Sequence, residues 1–238
     1  MSDLSHFVNK GKLIDLHKIL TTRHMNTPDI LTPELINPLT YQSFKKLVDE
    51  LVTDNLTTGP DQTEERIAFT KLNQQRMKRV EKQFKMDPEL LASLQQPRPE
   101  WHWVVLVESW CGDGAQQLPA LAAIADAVPT IELTVILRDE NPAWMDTCLT
   151  NGSRAIPKLI CLNADTNERL FTWGPWPLAI LEQVLQLKEK NPNATKEEVH
   201  TLVHTLYAKD RSQSLQQDLL RLAQSVIPVQ EKEEGLVA

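Results

Sequence analysis

Residues 101–114, with the sequence WHWVVLVESWCGDG, decide the fold class of this chain. The first seven, Trp101 to Val107, form a dense apolar and β-branched run, which predicts a buried strand. A helical pattern begins at Ala115 and continues to Val128, with its apolar residues on one side. Cys111 therefore lies where a buried strand ends and a helix begins.

The position of Cys111 makes it the candidate nucleophile of the chain. The first N–H groups of a helix lack hydrogen-bond partners and the helix dipole is positive there, so both favour a thiolate. We therefore expect the pKa of Cys111 to lie below the ~8.5 of a free cysteine, and the thiolate is the reactive form. Gly112 and Gly114 have no side chains to crowd the sulfur, which leaves room for a second sulfur to approach.

The residues after this stretch predict strands and helices in alternation. The predicted elements are a strand at 131–137, a short helix at 142–149 capped by Asn141, a hairpin of strands at 158–162 and 169–173, and a closing helix at 177–187. This order predicts an α/β fold with a central mixed sheet and helices on both faces.

Several ordered motifs resemble the thioredoxin-like superfamily over about residues 101–190. Trp110-Cys111-Gly112 is similar to the opening of the family's W-C-G-P-C motif, and Pro119 stands where the family has a proline in the following helix. Arg154-Ala-Ile-Pro157 resembles the R-G-I-P segment, and Gly174 stands where the family has a glycine before its closing helix. Residues 58–86 also resemble a group of bacterial thioredoxin-like proteins with helical additions at both ends.

The resemblance implies a three-layer thioredoxin-like fold and a site. It implies that Pro157 is cis and faces the active sulfur, so that the exposed backbone of Ile156 could pair with an extended peptide or a glutathione-like backbone. Trp110, Gly112, Asp113 and Gly114 would complete the substrate-binding residues around Cys111. A trans proline that starts a buried strand is the alternative from the residues alone.

The sequence departs from the family at three positions. Gly114 stands where a dithiol thioredoxin has its second cysteine, and Asp113 replaces the proline of the motif. The charge of Asp113 opposes thiolate formation. Val105 stands where the family has a buried carboxylate. A dithiol reductase is therefore disfavoured.

A monothiol cycle remains open after these departures. Cys111 would attack a disulfide and be released by a low-molecular-weight thiol such as glutathione, or by another protein. Cys148 or Cys161 could also resolve the adduct, although each lies in an apolar context that is typical of a small buried side chain. We predict no resident cofactor.

Helical extensions are predicted on both sides of the central domain. We divide the chain into a helical N-terminal extension (1–100), a thioredoxin-like domain (101–190) and a C-terminal helical extension packed on the body (191–238). An amphipathic piece is predicted within 13–20, and a frayed tail is predicted near 230–235. A helix that follows the Gly59-Pro60 turn is predicted to begin with a capping box formed by Asp61 and Glu64. It is predicted to face inward with Phe69, Leu72, Met77, Val80 and Phe84, and its basic remainder is either a solvated face or an anion-binding surface.

Composition and motif searches exclude several classes of function. The net charge of −7 disfavours nucleic acid and anionic membranes, and no apolar run approaches the ~18 residues of a membrane span. Three cysteines and the absence of a signal region predict a cytoplasmic protein with free thiols. His200 and His204 are spaced i, i+4 without a third ligand, so they are interpreted as helix-surface histidines and no metal site is predicted.

Two classes of function follow from these observations. The first is a monothiol thiol–disulfide oxidoreductase or thiol carrier that acts on protein or small-molecule disulfides through Cys111. The second is a non-catalytic thioredoxin-fold module, in which the groove and the flanking helices bind a partner. A redox sensor based on Cys111 is a weaker third hypothesis. The sequence does not specify an oligomeric state.

Overall fold

The computed structural model describes residues 32–227, which are built around a four-stranded mixed sheet. The strands lie in the order β2-β1-β3-β4; β1 runs parallel to β2 and antiparallel to β3, and β3 runs antiparallel to β4. Their bounds are β1 (Trp101–Val107), β2 (Ile131–Leu137), β3 (Lys158–Asn163) and β4 (Arg169–Trp173). The mixed sheet, flanked by helices, confirms the predicted fold class.

Strand β1 is central and buried on both faces. Its consecutive residues from Trp103 to Val107 are all almost inaccessible to solvent. Since successive side chains of a strand point to opposite faces of the sheet, both faces of β1 are covered by other elements. This is why β1 reads as a continuous apolar run instead of an alternating one. Its last residue leads directly into the segment that carries Cys111.

The helices of the described part flank this sheet. Their bounds are α1 (Tyr41–Asp54), α2 (Glu64–Gln83), α3 (Pro88–Leu94), α4 (Gly112–Asp126), α5 (Pro142–Asp146), α6 (Leu178–Lys190), α7 (Lys196–Asp210) and α8 (Gln213–Val226). Helix α4 begins three residues before the predicted Ala115, so Gly112 and Gly114 lie inside its first turn. The short helix α5 ends at Asp146 instead of Leu149, and the side chain of Asn141 does not cap it. That side chain instead bonds the loop at Ile36.

Helix α2 packs along α4 and brings the N-terminal region against the central domain. Its buried residues are Thr70, Asn73, Met77 and Val80, a stripe at helical spacing. Leu72 is two positions, or about 200° of helix rotation, from Thr70. It is 46% exposed, so the prediction that it faces inward was wrong.

The predicted capping box at the start of α2 was also wrong. Thr63 is the residue that precedes the helix, and its side chain makes no capping hydrogen bond. Asp61 instead accepts a hydrogen bond from the backbone N–H of Thr63 and forms an ion pair with Arg66. The ion pair takes the carboxylate away from the N-terminus of the helix.

The C-terminal helices pack on the body in two places. Helix α8 contacts α3, and α6 contacts α7 around a second apolar cluster. The members of that cluster are Trp176, Ile180, Val184, Val199, Val203 and Tyr207. Two predictions, the amphipathic piece at 13–20 and the frayed tail at 230–235, lie outside the described residues. Within residues 32–227, no helix combines the length and apolar character needed to cross a bilayer.

Candidate functional site at the junction of β1 and α4

Cys111 is the N-cap residue of α4 and lies at the end of the loop that follows β1. Its Sγ accepts a hydrogen bond from the backbone N–H of Gly114 at 3.3 Å. The thiol in turn donates to the backbone carbonyl of Ile156 at 3.4 Å. The thiol therefore bridges the start of α4 and the segment that leads into β3.

Gly114 is fixed by the close approach of the strand end. A Cβ atom at this position would lie 2.4 Å from Cγ2 of Val107 and 3.4 Å from Sγ of Cys111. No real Cβ atom sits so near a packed methyl group, so a larger residue here would displace the end of β1. The side chain of Val107 therefore occupies the space that a side chain at position 114 would need.

The peptide bond between Ile156 and Pro157 is cis. It directs the Ile156 carbonyl to the Cys111 thiol, while Ile156 itself is buried. Gly174, at φ +105°, lies against this segment, and a Cβ there would be 2.4 Å from the Pro157 carbonyl oxygen. The segment 154–157 and the turn at Gly174 are therefore packed backbone to backbone beside the sulfur.

A cleft of about 250 Å³ opens over Cys111. Its floor is formed by the start of α4, and its walls come from the loop before α2, from α2 itself, from Trp176 and from α7. The lining residues are Asp61, Thr63, Glu65, Arg66, Phe69, Trp110, Cys111, Gly112, Asp113, Trp176, His200, Val203 and His204. Helices that the sequence assigned to the two extensions therefore form the walls of the site.

The pKa of Cys111 is raised, which is the opposite of the expectation from its position at a helix start. Burial is the largest cause and the charge of Asp113 is the second, and together they raise the pKa to about 12. The hydrogen bond from the Gly114 N–H acts in the other direction but is outweighed. Cys111 is only 6% exposed. Removing a thiolate from water costs more free energy than the hydrogen bond from one N–H group restores, so the pKa rises.

Asp113 is a half-buried carboxyl group on the floor of the cleft. Burial raises its pKa to about 6, against hydrogen bonds from Trp176 and Tyr207 and the charge of Arg76, which lower it. Tyr207 of α7 donates its hydroxyl to Oδ1 of Asp113 at 3.1 Å and accepts from Nε2 of Gln117 at 2.8 Å. This chain of bonds ties α7 to α4.

Arg76 and His204 meet beside Gly112, and neither was identified as a site residue from the sequence. A nitrogen of the Arg76 guanidinium lies 3.2 Å from Nε2 of His204, and another donates to Oδ1 of Asn73 at 2.9 Å. A Cβ on Gly112 would be 2.9 Å from the guanidinium and 3.3 Å from the His204 ring. His200 and His204 line the cleft instead of an open helix surface. Their i, i+4 spacing was visible in the sequence, but nothing there placed α7 over Cys111.

A cluster of buried hydroxyl groups holds the loop between β1 and α4. Oγ of Ser109 lies within about 3 Å of the hydroxyls of Thr57, Thr58 and Thr70 and accepts from the backbone N–H of Thr58 at 3.0 Å. Asn73 donates to the Ser109 carbonyl at 2.9 Å. The sequence analysis missed these residues, and threonines next to Thr58-Gly-Pro were the available clue. They fix the two residues that precede Cys111.

The structure does not bring Cys161 to Cys111. Cys161 pairs with Trp103 inside the sheet, three residues beyond Lys158 at the start of β3. At about 3.3 Å per residue, Cys161 lies about 10 Å from the Lys158 end of β3, which is the end near Cys111. A disulfide spans at most ~6.8 Å between Cα atoms, so Cys161 is too deep in the sheet to pair with Cys111. Cys148 is buried and donates to the carbonyls of Trp144 and Met145. All three cysteines are free.

No metal centre is formed by the part of the chain that the structure describes. The rings of His200 and His204 meet edge to face with their centroids 6.0 Å apart, but no group of three or more His, Cys, Asp or Glu side chains there has the arrangement of a metal site. Their lowered pKa values have burial as the first cause.

A family model described as thioredoxin matches residues 59–190, which is more than half of the chain. This chain belongs to that thioredoxin family. The matched region begins at the Gly59-Pro60 turn, so it includes α2 and α3 as well as the sheet. The wall of the cleft formed by α2 and the floor formed by α4 therefore lie within the family match. Helix α7 lies outside it.

Two solved structures are similar to this thioredoxin-family chain. A protein of unknown function from Pseudomonas aeruginosa is 20% identical with a TM-score of 0.52, and the match covers 67% of this chain and 91% of that one. An HIV epitope scaffold is 20% identical with a TM-score of 0.48, and the match covers 75% of this chain and 98% of that one. At this identity the first likeness concerns the fold alone. None of the curated proteins matches the chain.

Proposed function

We propose that this protein carries out monothiol thiol–disulfide exchange at Cys111. The observation that carries the proposal is that Cys111 lines the cleft beside the cis Ile156–Pro157 bond, whereas neither Cys148 nor Cys161 lines it. In the reaction the thiol loses its proton and the sulfur attacks one sulfur of a disulfide. A new S–S bond forms as the old one breaks, and the departing thiolate takes up a proton.

The cleft limits the substrate to a small molecule or a single protruding segment. Its volume of about 250 Å³ is at or below the range of ordinary ligand pockets. Trp110, Gly112 and Asp113 line the cleft and would contact the substrate beside the sulfur. Gly114, Ile156 and Pro157 do not line it, so they would support Cys111 from behind. A low-molecular-weight thiol such as glutathione then releases Cys111 as co-substrate. We propose that this occurs in the reducing cytoplasm, where free thiols persist.

The raised pKa of Cys111 makes the rate of exchange strongly dependent on pH. With a pKa of about 12, the thiol of the free protein is protonated at neutral pH. Because the thiolate is the nucleophile, the rate should rise by about tenfold per pH unit below that pKa. A rate that levels off below pH 8 would mean that the free protein holds a thiolate, contrary to the burial of the sulfur.

The proposal is tested by following mixed disulfides with mass spectrometry. Full-length protein is incubated at pH 7, 8 and 9 with oxidised glutathione or bis(2-hydroxyethyl) disulfide, and the modified peptide is identified. We expect an adduct on Cys111 that Cys111→Ser abolishes, while the matched variants Cys148→Ser and Cys161→Ser retain it. No adduct in the natural protein up to pH 9, or an adduct that survives in Cys111→Ser, would overturn the proposal.

A second candidate function is a non-catalytic binding module. The specific observation in its favour is the burial and raised pKa of Cys111, because a thiol used only for packing has no need of a thiolate. In that case a partner occupies the cleft without covalent chemistry, and Cys111→Ser binds it as tightly as the natural protein does.

A further inference from the structure

The contact between Arg76 and His204 fixes which nitrogen of the histidine carries the proton. A guanidinium has only donors, so Nε2 of His204 must accept the hydrogen bond from Arg76. Burial and the charge of Arg76 lower the pKa of His204 to about 4, so the ring is neutral at physiological pH. In a neutral imidazole with Nε2 as the acceptor, the proton is on Nδ1.

The Nδ1–H group that results has no partner within residues 32–227. The indole Nε1–H of Trp110 is in the same condition, and Trp110 is more than nine-tenths buried. A buried donor without an acceptor destabilises the protein. Both residues line the cleft over Cys111, but the two nitrogen atoms themselves are covered in the ligand-free protein. A small rotation of either ring would bring its N–H group to an oxygen acceptor in the cleft and satisfy it.

The charges around this part of the cleft favour an anionic acceptor. The guanidinium of Arg76 makes no direct ion pair with another described residue and its two hydrogen-bond partners are neutral, while its charge interacts with that of Asp113 across the floor of the cleft. It also lies at Gly112 in the first turn of α4, where the helix dipole is positive.

Acidic side chains also line the cleft, but two of the three are already engaged. Asp61 is paired with Arg66, and Asp113 accepts the hydroxyl proton of Tyr207. Glu65 lies at the start of α2, and its charge acts on His200. Arg76 is therefore the cationic group beside Gly112 and His204, and the charge of Asp113 acts on it.

We propose that the cleft recognises a thiol or disulfide that carries a carboxylate, which accepts a hydrogen bond from Nδ1 of His204. Arg76 acts through His204 as a positioning residue: it holds the ring in the tautomer that donates and supplies the compensating charge. This proposal rests on the proposed function only for the reacting sulfur, because the recognition of the carboxylate needs no reaction.

The first test reads the tautomer and the binding without any exchange chemistry. In full-length Cys111→Ser labelled with ¹⁵N-histidine, the His204 resonance, assigned with His204→Gln, should show protonation at Nδ1 from pH 6 to 8. Addition of 3,3′-thiodipropionate, a dicarboxylate without a disulfide, should shift that resonance, whereas the neutral 2,2′-thiodiethanol should not. Protonation at Nε2, or equal responses to the two probes, would overturn the proposal.

The second test reads the same preference through the rate of adduct formation. The natural protein should react about tenfold faster with 3,3′-dithiodipropionate than with neutral bis(2-hydroxyethyl) disulfide, and slowest with cationic cystamine, each rate being divided by that of a small reference thiol. His204→Gln keeps an acceptor for Arg76 in its amide oxygen, but its NH2 group lies at the end of the side chain and not at the position of Nδ1, so the preference should fall to about twofold or less. Lys209→Gln, an exposed change on α7, is the matched control and should retain it. Equal rates for the three disulfides would overturn the proposal.

The two tests separate this proposal from the proposed function. If Cys111 forms no adduct but thiodipropionate still shifts His204, then exchange is wrong and carboxylate recognition stands. If adducts form without any preference for charge, then exchange stands and the recognition by His204 is wrong.

Discussion

The sheet interior around Cys161 and the junction around Cys111 are both buried, but they are built from different chemistry. Cys161 pairs with Trp103 in the middle of the sheet, where Ile160 and Leu159 are also inaccessible to solvent. Cys111 instead lies at the edge of a cleft, in a loop held by hydroxyl groups. Burial raises the pKa of both thiols.

Burial alone does not distinguish a structural cysteine from a candidate reactive one. Cys111 has a backbone N–H donor at Gly114, a carboxyl group at Asp113 and an open cleft above it. Those features supply partners for a ligand, whereas the interior around Cys161 supplies only packing. Substitutions that act on one region and spare the other test this distinction.

The largest expected effect comes from the sheet interior. Trp103→Ala removes a fully buried indole from the central strand and should lower the free energy of unfolding by about 3–5 kcal/mol. The measurement is urea denaturation followed by circular dichroism. Trp103→Phe, which keeps most of the volume, should cost clearly less, and equal costs for the two variants would contradict the packing role.

Ser109→Ala should have the next largest effect, and it acts at the junction. The change leaves the buried hydroxyls of Thr57 and Thr70 and the N–H of Thr58 short of a partner, which should cost about 1–3 kcal/mol of unfolding free energy. It should also change the alkylation rate of Cys111, because the loop that precedes it is released. Ser225→Ala, an exposed matched change on α8, should alter neither quantity.

Asp113→Asn tests the electrostatics of the junction with little expected effect on stability. The charge of Asp113 raises the pKa of Cys111, so its removal should lower that pKa and increase the rate of alkylation at pH 8.5 severalfold. The rate is measured with iodoacetamide and peptide mass spectrometry. Glu132→Gln, on β2, is the control and should leave the rate unchanged; a slower reaction in Asp113→Asn would refute the assigned sign.

A pH dependence of stability is expected from Lys158, at the boundary between the two regions. Burial lowers its pKa to about 8, while its Nζ donates to the Gly174 carbonyl at 2.6 Å. Between pH 8 and about 10.5 the unfolded chain therefore binds more protons at this residue than the folded protein does. Over that window the contribution of Lys158 to stability rises with pH.

Lys158→Met isolates this contribution. Urea unfolding of the natural protein and the variant at pH 7.5 and pH 10 should show the difference between them moving in favour of the natural protein at the higher pH. The difference staying constant would mean that the lysine is ionised to the same extent in both states.

The elements of the central domain followed from local patterns. Strand β1 is a continuous apolar run, and the turn chemistry of residues 163–168 separates β3 from β4, so their bounds were predicted within one residue. Helix boundaries at Ala115 and Leu149 were less accurate because caps depend on which side chain reaches which N–H group. The inward face of α2 was wrong at Leu72 since its neighbour α4 was not known.

Only the part of the candidate site that consists of motifs within the sequence was predicted. Cys111, Gly114 and the Ile156–Pro157 segment were identified from motifs within the chain. Arg76, His204 and Ser109 were not identified, because the partners that give them their roles are distant in the sequence. Arg76 and His204 are 128 positions apart, and Ser109 and Thr70 are 39 positions apart. Periodicity reports a helix face but not the element that the face meets.

The sequence by itself determined the fold class, the place of Cys111 at a strand–helix junction, and the lack of a second cysteine beside it. The tertiary structure alone decided that α2 and α7 wall the cleft, that His204 presents Nδ1–H there, and that the pKa of Cys111 is raised instead of lowered. The physical reason is that helix dipoles and hydrogen-bond donors are local properties, readable from neighbouring residues. Desolvation depends on every element that excludes water, and only the packed chain specifies it.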